Sequence, residues 1–164
     1  MVRSLSKVLT MSIDRKLRDG DVDDRVRLFV YRHIIRRGKS PTVADIAKGL
    51  ACSTKLIRGS LSRLSESHAF MLQENGELWR AAPFSCIPTS FPVKVGKHSW
   101  FGNCIWDALG IPAMLAKDAR IEASCGCCNY QMPVEVKGSR LVSGKGLIHF
   151  AVAAREWYKD VVFT

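Results

Sequence analysis

Apolar residues follow two different rhythms along this chain. Between Asp24 and Leu64 they recur at helical spacing, and from Phe70 onward they come in short runs broken by Gly, Pro and polar residues. Residues 1–20 are polar and basic with weak periodicity, which predicts a frayed first helix. Val26, Phe29, Val30, His33 and Ile34 then fall on one helical face, and Arg36-Arg37-Gly38 gives a stop. After Ser40-Pro41, Thr42 is placed to cap a second helix through Leu50, with Asp45 at its third position. Ser53 caps a third, along which Leu56, Ile57, Leu61 and Leu64 share a side.

The segment Phe70 to Trp79 holds two short apolar runs around Asn75-Gly76, the pattern of a β-hairpin with a tight turn. Three helices and a hairpin predict a winged helix-turn-helix. Pro83, Pro88 and Pro92 mark 83–92 as a linker. Beyond it the chain mixes strands with one helix. Strands are predicted at Phe91–Val95, Arg120–Ala123, Val134–Val136, Arg140–Val142 and Leu147–Val152. The helix is predicted from Asn103 to Lys117, interrupted near Gly110-Ile111-Pro112. The expected fold is α+β: a winged helix-turn-helix domain with an N-terminal helical extension (1–82), the linker, and a small mixed α/β domain (93–164).

Composition narrows the class. At 164 residues and 47% hydrophobic, the chain can bury one mid-sized core or two small ones. No apolar run reaches the ~18 residues of a membrane span, and the N-terminus has no apolar secretion segment. A cytoplasmic protein with no membrane partner is expected. Its six Cys then read as reduced thiols for metal or redox chemistry instead of a disulfide frame. The net charge of +10 is uneven, with 16 Lys and Arg against 9 Asp and Glu in residues 1–80 and 9 against 6 in the remainder. A basic first half suits DNA, with Lys55, Arg58 and Arg63 as the candidate contacts on the third helix. Glu74 and Glu77 at the wing tip have the wrong sign for phosphates, which favours a scaffold over a DNA reader.

The candidate chemistry lies in Ser99-Trp100-Phe101-Gly102-Asn103-Cys104-Ile105-Trp106-Asp107. Cys104 and Asp107 are three apart, so on a helix they share a face. A thiol beside an acid suits sulfur holding a soft metal while the acid protonates what that metal releases. Such an acid works best in an apolar pocket, for which Trp100, Phe101 and Trp106 are suitable walls. Downstream, Ser124-Cys125-Gly126-Cys127-Cys128-Asn129 packs three thiols into four positions. It lacks the paired knuckles of a zinc module and reads either as a soft-metal cluster or as a loop with redundant thiols. His98 and His149 read as structural, Cys52 precedes a helix cap, and Cys86 falls in the linker; none is assigned to chemistry.

From about Phe91 to Phe150 the sequence resembles the organomercurial (alkylmercury) lyases. The matching run is Trp100-x-x-x-Cys104-x-x-Asp107-x-Leu109-x-x-Pro112-Ala113-x-Leu115, followed by Ala119-Arg120-Ile121, Ser124-Cys125, Met132-Pro133-Val134 and Ile148-His149-Phe150. The resemblance implies protonolysis of a carbon–mercury bond in a detoxifying enzyme. It makes Cys104 the first metal ligand, Asp107 the proton carrier and Cys125 a structural or auxiliary thiol. It also implies a winged helix ahead of the catalytic domain. No resident cofactor is implied, since the soft metal is part of the substrate. The partners are a small organometallic substrate and a small-thiol or protein-thiol acceptor for the metal.

The family's second catalytic Cys is missing here. Its expected run is Ser143-Gly144-Lys145-Gly146-Leu147-Ile148-His149-Phe150, with Lys145 at that position. Typical members also continue past Arg155-Glu156-Trp157-Tyr158, where this sequence soon reaches Thr164. Cys127 or Cys128 is the expected replacement for the missing thiol. The same residues leave a second class open: a winged-helix regulator that senses a soft metal through its thiols and reads DNA. An inactive relic of a lyase is the third.

Overall fold

A computed structural model describes residues 19–125, 127–144, 146–150, 152–157 and 159. The predicted N-terminal extension and Lys145 lie outside these. Helix α1 (Asp19–Arg37) buries Val22, Val26, Val30 and Ile34, one residue per turn. It ends at Gly38, whose φ of 71° and N–H bond to Ile34 O (2.8 Å) form a left-handed stop. Helix α2 (Val43–Leu50) opens on the capping box expected from Thr42 and Asp45. Helix α3 (Thr54–Glu66) opens on Ser53, whose side chain accepts from Leu56 N–H. Ile46, Ile57 and Leu61 are fully buried against the apolar stripe of α1.

The hairpin follows as β1 (Met71–Leu72) and β2 (Leu78–Ala81). Its loop has three residues, not two. Gln73 pairs with Glu77 across it, Gly76 N–H bonds back to Gln73 O, and Gly76 alone takes positive φ (79°). That is a type I turn followed by a left-handed residue, a standard way to match the twist of two strands.

The stretch 83–92, expected to be a linker, instead contains β3 (Phe84–Ser85), with Phe84 fully buried. This strand joins the hairpin to β5 (His98–Phe101), beside which lies β4 (Pro92–Val95). Helix α4 (Ile105–Leu115) comes next, then β6 (Ala119–Ile121), β7 (Val134–Lys137) and β8 (Arg140–Ser143). Among the described residues, eight strands form one antiparallel sheet in the order β1-β2-β3-β5-β4-β6-β7-β8. The wing-like hairpin and the C-terminal strands are therefore a single sheet. Two bonds reinforce the junction: buried Trp100 Nε1–H donates to Ile34 O (2.9 Å), and Tyr31 O–H donates to Ala82 O (2.8 Å).

Two predicted elements differ. Helix α4 runs through Pro112 without interruption, burying Ala108, Ile111 and Pro112 on its inner face, and stops only at left-handed Ala116. Burial there outweighs the hydrogen bond that proline removes. The strand predicted at Leu147–Val152 is not formed among the described residues. Residues 147–150 are irregular, and Leu147 is 97% exposed. A strand needs a ladder partner, and no described strand pairs with the outer edge of β8.

Candidate active site

Cys104 stands at the start of α4 and Asp107 lies in its first turn. Cys104 is the N-cap residue in extended conformation, half-buried, and its carbonyl accepts from Ala108 N–H (2.9 Å). Asp107, at the third helical position, is buried. The entry to this turn is tight. A Cβ added to Gly102 would stand 2.5 Å from the Ala108 backbone nitrogen and 2.8 Å from its Cα, so only glycine lets β5 hand the chain to α4 at this distance.

The surroundings of Asp107 are not the apolar pocket expected. Its Oδ2 accepts from Asn103 Nδ2 at 3.0 Å and lies 3.2 Å from an Arg80 guanidinium nitrogen. Arg80 belongs to β2, so the cation reaching the acid comes from the hairpin of the helical half. The proposed walls are otherwise engaged. Trp100 is buried between His98 and Phe84, while Trp106 is 61% exposed and meets Phe150 edge-on at 6.5 Å. A carboxylate this buried needs hydrogen-bonding or charged partners, and the fold supplies both on one oxygen. Sequence reasoning missed Arg80 and Asn103. Asn103 is a local neighbour and its i,i+4 spacing was readable; Arg80 carries no local signal, because the sheet alone brings it near.

Beside α4 a cavity of about 550 Å³ opens. Phe91, Ile105 and Leu109 line it from the sheet and helix, Cys125, Cys127 and Met132 from the thiol loop, and Leu147 to His149 from the irregular segment. Ile105 is the residue after Cys104. Cys127 and Cys128 are exposed and Cys125 is half-buried; none of the six cysteines is in a disulfide. Backbone N–H groups of Cys127 and then Cys128, with the Cys128 side chain, hold the Cys125 thiol below its ordinary pKa against the effect of burial. Cys86 behaves oppositely: burial pushes its thiol up, despite hydrogen bonds from Ser40 and Ala81. Cys52 is buried and its sulfur faces Leu50 O (3.5 Å). Among the described residues, no group of three His, Cys, Asp or Glu is arranged to hold one metal ion.

The candidate DNA face is largely committed within the protein. Arg63 makes paired bonds to Asp23 (2.9 and 2.8 Å) and also approaches Asp19 (3.4 Å). Arg58 donates to Asn75 O at the hairpin tip, and Lys55 is exposed. Glu77, expected to face phosphates, instead accepts from Val43 N–H (2.9 Å) at the start of α2. No described helix is long and apolar enough to cross a membrane.

The chain resembles the solved mercury-bound form of MerB2, with a TM-score of 0.61 and 19% identity, over 85% of this chain and 66% of that one. The chain thus spans just under two thirds of that protein's length. A likeness over 85% of the chain extends beyond the C-terminal half into the helices, so it describes the fold as a whole. No curated protein matches the chain. The family model for alkylmercury lyase matches residues 84–164, the span that contains Cys104, Asp107 and the thiol loop. By this match, residues 84–164 belong to the alkylmercury lyase family.

Proposed function

We propose that the protein is an organometallic lyase that cleaves a carbon–mercury bond by protonolysis. The observation that carries this reading is the first turn of α4, where a half-buried thiol at the N-cap precedes a buried carboxyl held from one side by Arg80 and Asn103. Thiolates are the ligands a soft metal selects. In this reading Cys104 binds the mercury of the incoming cation and gives up its proton, which Asp107 carries to the metal-bound carbon. The hydrocarbon leaves, and mercury remains on sulfur. Arg80 and Asn103 occupy Oδ2, which directs proton transfer to Oδ1. The second sulfur comes from the thiol loop, with Cys127 favoured because it lines the cavity beside α4. An exogenous small thiol or a protein thiol then strips the ion. The helical half serves as the scaffold that delivers Arg80, and the engagement of Arg58 and Arg63 within the protein argues against a DNA-reading regulator.

The decisive assay is release of methane or benzene from methyl- or phenylmercury with excess small thiol. Asp107→Asn keeps volume and thiols, so it should bind the organometal and lose about 10²–10⁴-fold in turnover. Cys104→Ser should weaken binding itself, because oxygen is a harder ligand. Wild-type turnover matched by the Asn variant would remove Asp107 from the mechanism. Absence of turnover in the wild type would overturn the lyase reading.

A further inference from the structure

One flank of α1 carries a groove that takes no part in the chemistry of the thiols. It holds about 520 Å³ and follows positions 25, 28, 29, 32, 33, 36 and 37. That three-and-four spacing keeps one helical face in line over about 18 Å. Leu28, Phe29 and Leu50 give the groove an apolar strip, and Arg25, Arg32, Arg36 and Arg37 stand along it with no acidic residue in the lining. The strip is fixed in place. A Cβ on Gly49 would stand 2.2 Å from the Phe29 ring, so the ring lies flush on the α2 backbone. Arg25 ties the two helices by donating to Leu50 O at 3.2 Å. Leu28 is 50% exposed, and among the described residues Arg32, Arg36 and Arg37 have no acidic partner. Arg63 on α3, neutralised by Asp23, is the contrast.

We propose that this groove docks an acidic amphipathic helix of a partner protein. Arginines without acidic partners call for carboxylates, which the planar guanidinium fork pairs with well. The length of the stripe calls for an elongated occupant, and its apolar strip calls for Leu-like anchors repeating at three and four positions. A nucleic-acid backbone would bring the negative charge but leave Leu28, Phe29 and Leu50 facing sugar and phosphate. The chain's own residues 1–18 have the wrong sign for the groove, with Arg3, Lys7, Arg15, Lys16 and Arg18 against Asp14. The groove also lies outside residues 84–164, the span that matches the lyase family model. It uses neither the thiols nor the buried acid, so the inference stands independently of the lyase reading.

The test is fluorescence anisotropy with the full-length protein and a labelled synthetic peptide of Glu and Leu, its leucines at helical three-and-four spacing. A second peptide of the same composition has its leucines dispersed around the helix, and poly-glutamate and a labelled DNA duplex complete the set. The patterned peptide should bind, and the dispersed one should bind about tenfold more weakly or worse. Arg32→Glu, Arg36→Glu and Leu28→Glu should each weaken the patterned peptide by about tenfold, the scale of an anchoring interface residue. Lys117→Glu reverses a charge at an exposed position past the end of α4 and should leave binding unchanged. Circular dichroism of each variant checks that α1 is intact. No binding of the patterned peptide overturns the proposal, as does equal binding of the dispersed peptide or of poly-glutamate. Equal loss with Lys117→Glu would reduce the effect to diffuse charge and overturn it as well. Duplex DNA bound more tightly than the peptide, and equally sensitive to Arg32→Glu and Arg36→Glu, would assign the groove to nucleic acid instead.

Discussion

Asp107 is the residue on which sequence and structure meet most informatively. Its place three residues after Cys104, in the first turn of a helix, was legible because helix starts are local. Its partnership with Arg80 was not, because the two are joined only when β2, β3 and β5 lie side by side. Arg80→Gln therefore tests whether the cation positions the acid. Losing a charged hydrogen-bond partner of a buried carboxylate should cost about 1.5–3 kcal/mol in urea unfolding. In the lyase reading turnover should fall while mercuric binding at the thiols stays unchanged. A variant with full turnover would show that Arg80 is only a structural tie. The thiol loop was half-legible. Its count of sulfurs stood in the sequence, but the order within it, with Cys125 receiving the donors and Cys127 left facing the cavity, depends on a left-handed Asn129 that composition does not announce.

Among the elements, α1 and α3 show how a basic surface can be neutralised from within. Burial raises Asp23, yet the hydrogen bonds and charge of Arg63 outweigh it and hold the carboxyl below its ordinary pKa. A lowered folded-state pKa stabilises the protein above the unfolded value near ~3.9, and that stability is lost as pH falls through the folded one. Acid titration of stability should therefore steepen below about pH 4, and Asp23→Asn should flatten that limb. An unchanged limb would mean that the α1–α3 pair contributes little. The same pairing bears on nucleic acid. Fluorescence anisotropy with duplex DNA should give weak binding, insensitive to sequence, that fades as salt rises. Sequence-selective binding at physiological salt, reversed by mercuric ion, would revive the regulator. Helix boundaries here were readable from Thr42, Ser53 and Gly38, whose caps are local chemistry. Pro112 misled, because whether a proline breaks a helix depends on what its inner face buries, and that is decided by the sheet beneath.

At the scale of the whole molecule, the α+β class and most strands were legible as short apolar runs, while the continuity of the sheet was not. Nothing in Phe84-Ser85 states that it will bridge two halves. Its role follows from Phe84 packing in the core and from having partners on both sides. Because β2, β3 and β5 are neighbours and Trp100 is bonded to Ile34, the helices and the site turn should unfold together. Tryptophan fluorescence and far-ultraviolet circular dichroism should report one coincident transition. Two separated transitions would mean that the halves are independent. A fragment beginning at residue 84 should be aggregation-prone, since it exposes Phe84 and an unpaired strand edge. The shared sheet also limits how such a chain can be inherited. A recombination that kept everything from residue 84 and exchanged what precedes it would transmit Cys104, Asp107 and all three loop thiols unchanged. The product would still lack the cation that faces the acid and the strand that closes the sheet. The partner of the buried acid therefore lies upstream of residue 84, on the strand Leu78–Ala81, and an exchange at that point would have to supply it anew.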